Sequence, residues 1–133
     1  MANARYIKGA LAENKVLDLL YAHGYYCNRV PGSKGRKGCR GADVFASKRL
    51  PDGKSKVLLL SVKNMKKPKF SPQDVEQARE SHRMAGGDLY FVIMKPYTSK
   101  KECFIAAPAS GLVRKRKNYL LGTNSAFNLA QVL

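Results

Sequence analysis

The sequence predicts one α/β domain of 133 residues, a central mixed β-sheet flanked by helices in the order α-β-β-β-α-β with a C-terminal extension. Three observations predict it. Val57-Leu-Leu-Leu60 is a continuous apolar run inside a strand-length segment, which suits a strand covered on both faces. Two helical patterns, one before and one after three strand patterns, can supply those covers. A meander of strands followed by a helix and one more strand suggests a mixed sheet.

Residues Ala4 to Ala22 read as the first helix, because Ile7, Ala10, Leu11, Leu17, Leu20 and Tyr21 recur at three- and four-residue steps, with Gly24 as the stop. Tyr25 to Val30 is a short strand rich in β-formers. The segment 31–41 follows as a loop, with Gly32, Gly35, Gly38 and Gly41 set among Lys34, Arg36, Lys37 and Arg40. Glycines let backbone amides approach a phosphate while the side chains add positive charge. The loop lacks the closing Gly-Lys-Ser/Thr of a P-loop, so nucleotide binding is not indicated. Asp43 to Ser47 is the next strand, Pro51-Asp-Gly53 a turn, and Val57 to Lys63 the third strand. Ser71 is a good N-cap, Pro72 fits the first helical position and Asp74 the first turn of a helix running to Ala85, which Gly86-Gly87 ends. Leu89 to Met94 is the fourth strand. Beyond Pro96 the expectations are an edge strand at Cys103 to Ala107, a basic cluster at Arg114-Lys-Arg-Lys117 and a short helix at Ser125 to Leu133.

Composition narrows the function. Hydrophobic residues make up 44%, without a disorder signature. No apolar run reaches membrane-spanning length, and Met1-Ala-Asn-Ala-Arg-Tyr6 lacks a signal-peptide core. The expected location is the cytoplasm, that of a host cell for a viral protein, with no membrane partner. Cys27, Cys39 and Cys103 form no CxxC pair, and His23 and His82 are the only histidines. A structural zinc site and a disulfide framework are both disfavoured. Cys27 and Cys103 read as small strand hydrophobes, and the histidines as capping or surface groups.

Charge is the strongest global signal. The chain carries 25 Lys and Arg against 9 Asp and Glu, a net +16. From Arg29 to Lys69 there are 13 basic residues and only two acidic ones, Asp43 and Asp52. That exceeds what solubility needs and makes an electrostatic footprint for a polyanion, with nucleic acid as the expected partner. Tyr21, Tyr25, Tyr26, Tyr90, Tyr97 and Tyr119 could stack on bases, but without an RNA-binding pattern most read as core or rim.

Within the basic region, Gly41-Ala-Asp43 and Ser61-Val-Lys63 put one carboxylate and one lysine at the ends of neighbouring strands. A carboxylate binds a hard divalent cation, and a lysine beside it can orient water and steady charge on a phosphate. Metal-assisted phosphodiester hydrolysis needs that pairing. On the plain structural alternative, Asp43 caps a turn and Lys63 is one more solvated lysine.

These motifs, in this order, resemble the archaeal-type Holliday junction resolvases of the PD-(D/E)XK, restriction endonuclease-like nuclease superfamily. The resemblance spans residues 6–96 as a family-like core, leaving 97–133 as the extension. Lys8-Gly9 and Ala12-Glu13-Asn14 are similar to the family's Lys-Gly…Ala-Glu-Arg start, which makes Glu13 the acid that reaches the metal site. Gly32-Ser33-Lys34 resembles the Gly-Ser loop whose serine contributes to catalysis. Arg40-Gly-Ala-Asp43 resembles the segment carrying the first metal ligand, Ser61-Val-Lys63 takes the place of Glu-X-Lys, and Val75-Glu-Gln77 resembles a stretch of the second helix. Departures from the pattern include Ser61, which replaces an acid, and Ala42, which replaces a proline.

The resemblance implies a Mg²⁺-dependent endodeoxyribonuclease (Mn²⁺ as the alternative ion) of DNA recombination and repair that resolves four-way junctions. Asp43, Glu13 and the Val62 main-chain carbonyl would hold the cation. Lys63 would orient the attacking water and stabilise the developing oxyanion. Ser61 would hold a water without adding charge. Ser33, with Lys34, Arg36, Lys37 and Arg40, would clamp phosphates, and Lys66 and Lys67 would extend that surface. The plainer readings are an exposed helix carboxylate at Glu13, an inert serine at Ser61, a turn residue at Ser33 and a helix-surface amide at Gln77. Cutting two opposed strands calls for two active sites, hence a homodimer, with Leu89, Phe91 and Ile93 as candidate dimer surface. Other outcomes are a sequence-specific or other branched-DNA endonuclease of the same fold, or a degenerate DNA-binding module, to which Ser61 points.

Overall fold

The computed structural model describes residues 4–30, 43–63, 69–95, 103–122 and 127–133. Its elements are α1 (Ala4–Ala22), β1 (Tyr26–Arg29), β2 (Val44–Arg49), β3 (Ser55–Lys63), α2 (Pro72–Ala85), β4 (Asp88–Lys95), β5 (Cys103–Pro108), β6 (Leu112–Lys115), β7 (Asn118–Leu121) and β8 (Phe127–Asn128). A six-stranded sheet runs β1-β2-β3-β4-β5-β8, and β6-β7 form a separate hairpin. The main sheet is mixed: β3 and β4 are parallel, and the other neighbours are antiparallel. The α/β class and the element order through β4 are as the sequence predicts.

The apolar run of β3 is buried because both of its faces are covered. Leu58, Leu60 and Val62 join the core under α1, with Val44, Ala46, Val92 and Met94. Leu59 alternates to the opposite face and packs under α2 with Phe70, Val75, Ala78, Leu89, Phe91 and Ile93. Leu89, Phe91 and Ile93 are therefore core, which removes them as dimer surface. The α1 stripe also differs from expectation: Ala12, Val16 and Leu20 are fully buried at four-residue steps, whereas Leu11 is 46% and Tyr21 79% exposed. The buried stripe follows the i, i+4 row, and 11 and 21 lie on its flanks.

Helix α2 begins and ends as its sequence dictates. The Ser71 side chain accepts from the Asp74 N–H, the Asp74 side chain accepts from the Ser71 N–H, and Pro72 opens the helix. At the other end, the Gly86 N–H donates to the His82 carbonyl. Ahead of the cap, Phe70 buries its ring edge-on to Phe91, with centroids 5.0 Å apart, an arrangement worth about 0.5–1.5 kcal/mol beyond area burial. Phe70 also pairs backbone to backbone with Tyr119 of β7 (2.9 and 2.8 Å), so the hairpin braces the helix start.

The C-terminal third departs from the sequence reading. β5 is not an edge strand, since β8 pairs with it at Ile105–Asn128 and Ala106–Phe127. The expected helix at Ser125 to Leu133 is instead β8 followed by a 3-10 turn at Leu129–Val132 capped by Asn128. Phe127 packs edge-on to Tyr90 at 5.6 Å, which favours a strand beside the sheet over a helix. The cluster Arg114–Lys117 forms the exposed tip of the β6-β7 hairpin, with Arg116 in the left-handed region at φ 58°. Among the described residues no helix is long and apolar enough to cross a membrane.

Candidate active site

Asp43 is pinned by three main-chain partners at the mouth of β2. Its N–H donates to the Leu60 carbonyl (2.8 Å), its carbonyl accepts from Val30 (2.8 Å), and its Oδ2 accepts from the Val62 N–H (2.8 Å). The carboxylate is thereby aimed across the sheet at the end of β3. In the β2–β3 register Val44 lies opposite Leu60, which sets Asp43 opposite Ser61. Ser61 is only 4% exposed. Lys63, two residues further along the same face, ends β3 and places Nζ 3.2 Å from Asp74 Oδ2 at the start of α2. Both side chains of this pair are about a third exposed, so it adds little to stability, about 0.2–1 kcal/mol. Its importance is in where it holds the ammonium.

Glu13 reaches the same end of the sheet from α1, where its Oε2 accepts from Arg29 Nε at 2.7 Å. Burial pushes the Asp43 carboxyl up to about 6. The Val62 N–H opposes that rise, the nearby Glu13 charge adds to it, Lys63 opposes it and Asp74 adds to it. A partly desolvated carboxylate repelled by two others gains by taking up a cation.

Glu13, Asp43, Ser61, Val62 and Lys63 therefore meet at one end of the sheet, on residues scattered over 50 positions of sequence. Ser33, Lys34, Arg36, Lys37, Arg40, Lys66 and Lys67 lie outside the described residues. Sequence reasoning missed two members. Asp74 read only as a first-turn residue, and Arg29 only as part of a basic region. An acid three residues past a serine cap, on the helix that leaves the Lys63 strand, was the available signal for Asp74. A basic side chain ending the short strand β1 was the weaker signal for Arg29.

Other polar groups lie elsewhere or serve structure. His23 Nδ1 is 2.9 Å from the Leu19 carbonyl near the end of α1, and His82 Nε2 is 2.8 Å from the Gly87 carbonyl. Cys27 is half-buried, with its thiol directed at the Leu17 carbonyl and pushed up by burial and then by Asp18. A depression lined by Arg79, His82, Asp88, Tyr90 and Ser110 sits where β4 begins, at the opposite end of the parallel strands from Lys63.

The donor set suits a hard cation of low protein coordination. Among the described residues no three His, Cys, Asp or Glu side chains come close enough to hold a metal together. Mg²⁺ does not require that, since it keeps several waters and takes one or two carboxylates. Asp43, with Glu13 nearby and main-chain oxygen at the strand end, fits such an ion.

A family model for archaeal Holliday junction resolvase (Hjc) matches residues 4–133, so the match extends through β5 to β8 as well. No curated protein matches the chain. Among solved structures, the Holliday junction resolvase Hjc of Archaeoglobus fulgidus, an archaeal hyperthermophile, is similar at 24% identity with a TM-score of 0.75. The alignment covers 93% of this chain and 98% of that one, and it shows the restriction endonuclease-like fold. Resolvases of this nuclease fold depend on a divalent metal, act on branched DNA and serve DNA recombination and repair. With the match running from α1 to the last residue, the chain belongs to the archaeal Holliday junction resolvase family, the Hjc endonucleases that resolve four-way DNA junctions.

Proposed function

We propose that this resolvase hydrolyses junction phosphodiesters at the end of β2 and β3 with Mg²⁺, Mn²⁺ being the alternative ion. The observation that carries the reading is Asp43 held against the Val62 amide at 2.8 Å, with Lys63 ending the same strand and Glu13 close enough to repel the Asp43 charge. Asp43 and Glu13, with the Val62 carbonyl, would hold the ion. The ion supplies Lewis-acid stabilisation of the phosphoryl oxygens. Lys63 brings its ammonium to the scissile phosphate, orients the attacking water and stabilises charge that grows in the transition state. Ser61, buried opposite Asp43, offers a hydroxyl to hold water in place without adding charge. Ser33, Lys34, Arg36, Lys37, Arg40, Lys66 and Lys67 supply the phosphate contacts that align the strand.

The working unit is a homodimer acting in the cytoplasm, each protomer one nuclease domain in which 97–133 joins the 6–96 core. Two incisions on a nearly two-fold junction require two sites on one complex. Sedimentation at micromolar concentration is expected to give a dimer; a monomer that cuts both strands in one binding event contradicts it.

The deciding assay compares a synthetic four-way junction, linear duplex and single strand, each with Mg²⁺ or EDTA. Junction-selective cutting in Mg²⁺ alone is expected, and Asp43→Asn should abolish it while junction binding survives. An Asp43→Asn protein that cuts at the parental rate would show that the site is misplaced. The serine at position 61 favours one second reading, a DNA-binding protein of degenerate site. Junction binding without cutting in the parent, with cutting restored by Ser61→Glu, would establish it.

A further inference from the structure

On β3, Leu59, Ser61 and Lys63 alternate onto the face toward α2, whereas Leu58, Leu60 and Val62 pack under α1. An acid at 61 would share the face of Lys63, about 7 Å along the strand, and provide a counter-charge for its ammonium. Serine provides none. The counter-charge comes instead from the opposite wall, where Asp74 Oδ2 lies 3.2 Å from Lys63 Nζ.

The same Asp74 oxygen accepts the Ser71 N–H at 3.2 Å, and the Ser71 Oγ accepts the Asp74 N–H at 3.0 Å. The capping box therefore orients the carboxylate from the helix side. Helix α2 cannot shift easily at this point, because the Phe70 ring is fully buried against Phe91 and its backbone is paired with Tyr119. Asp74 is a fixed post, and Lys63 is a charge on a four-carbon flexible stem. Holding the ammonium there before DNA arrives removes a conformational search from the chemical step.

We propose that Asp74 is the positioning residue for Lys63, supplying from α2 the counter-charge that this chain lacks at position 61. The proposal rests on the reading of Lys63 as the group that meets the phosphate. Capping alone explains the bonds to Ser71 but gives no reason for the catalytic lysine to dock on the same oxygen.

The test uses the full-length protein, with single-turnover cleavage of a four-way junction in Mg²⁺ and junction affinity measured separately in EDTA. Asp74→Asn keeps an acceptor for the Ser71 N–H and removes the charge. It is expected to lower the cleavage rate by about ten- to a hundredfold, as misplacement of a reacting group does, with junction affinity and melting temperature little changed. Asp74→Glu should cut close to the parental rate. In a Lys63→Gln background, Asp74→Asn should cost nothing further, because the group it positions is gone. Ser61→Asp should recover much of the rate lost in Asp74→Asn, which repair of a helix cap cannot explain, since residue 61 is on another element. Parental cleavage by Asp74→Asn, with Lys63→Gln inactive, overturns this proposal alone. An equal extra loss in the Lys63→Gln background assigns Asp74 to the fold and also overturns it. Parental cleavage by Lys63→Gln overturns the underlying reading of the site and the proposal with it.

Discussion

Asp43→Asn is expected to stabilise the metal-free protein at neutral pH, although it disables the enzyme. In the folded chain the Asp43 carboxyl titrates at about 6, against an ordinary aspartate value of 3.8, chiefly because it is buried. Below pH 3.8 the group is protonated in the folded and unfolded states alike and contributes nothing. As pH rises from 3.8 to about 6, the unfolded chain releases the proton while the folded chain retains it, so stability falls. Above about 6 the penalty is complete. Each tenfold change in proton affinity is worth about 1.36 kcal/mol, so the full penalty is about 3 kcal/mol. Asparagine keeps an oxygen for the Val62 N–H but buries an amide, which returns about 1 kcal/mol of the gain. The net expectation at pH 8 is a gain of about 2 kcal/mol, which shrinks as pH falls and turns into a loss of about 0.5 kcal/mol at pH 4. Urea unfolding in EDTA at pH 4, 6 and 8, followed by circular dichroism, measures it. Adding Mg²⁺ at a hundred times its dissociation constant should stabilise the parent by about 2.7 kcal/mol and leave the variant unmoved. A variant less stable than the parent at pH 8 in EDTA, or a difference that does not change with pH, refutes the reasoning.

Lys63→Ala should slow cleavage more than Ser61→Ala, and Ser61→Glu should lower the Mg²⁺ concentration needed for cutting; equal damage from the two alanines would give Ser61 a direct catalytic part. Junction affinity should fall by about a thousandfold between 50 and 200 mM salt if about six phosphates are contacted. Replacing Lys115, Arg116 and Lys117 at the exposed hairpin tip by glutamine should flatten that dependence in a salt titration, whereas an unchanged slope excludes the tip from the interface. Gly87→Ala should lower the melting temperature sharply, because Gly87 sits at φ 77° and an added Cβ would lie 2.5 Å from the Val57 carbonyl oxygen; the expected loss is about 1–3 kcal/mol, and an unchanged unfolding curve contradicts it.

Sequence alone determined what depends on short-range physics. The α2 cap at Ser71, its first-turn Asp74 and its glycine stop are contacts within four residues, so the helix was legible to its ends. The unbroken Val57–Leu60 run made β3 legible and marked it as covered on both faces. The charge of +16 and the motif order pointed to a DNA-cutting family from one dimension of information. Tertiary structure decided what depends on partners far along the chain. Whether Phe91 faces a helix or a second protomer, and whether β5 is an edge, turned on α2 and on β8, the latter pairing across 21 residues at Ala106–Phe127. The site divides in the same way. Asp43 and Lys63 could be named from their places at neighbouring strand ends, and Glu13 through the family resemblance, but the carboxylate that grips Lys63 comes from the cap of α2. In the sequence Asp74 reads first as a cap residue, because its nearest duty is to its own helix, and only packing of that helix against β3 brings its charge to the lysine.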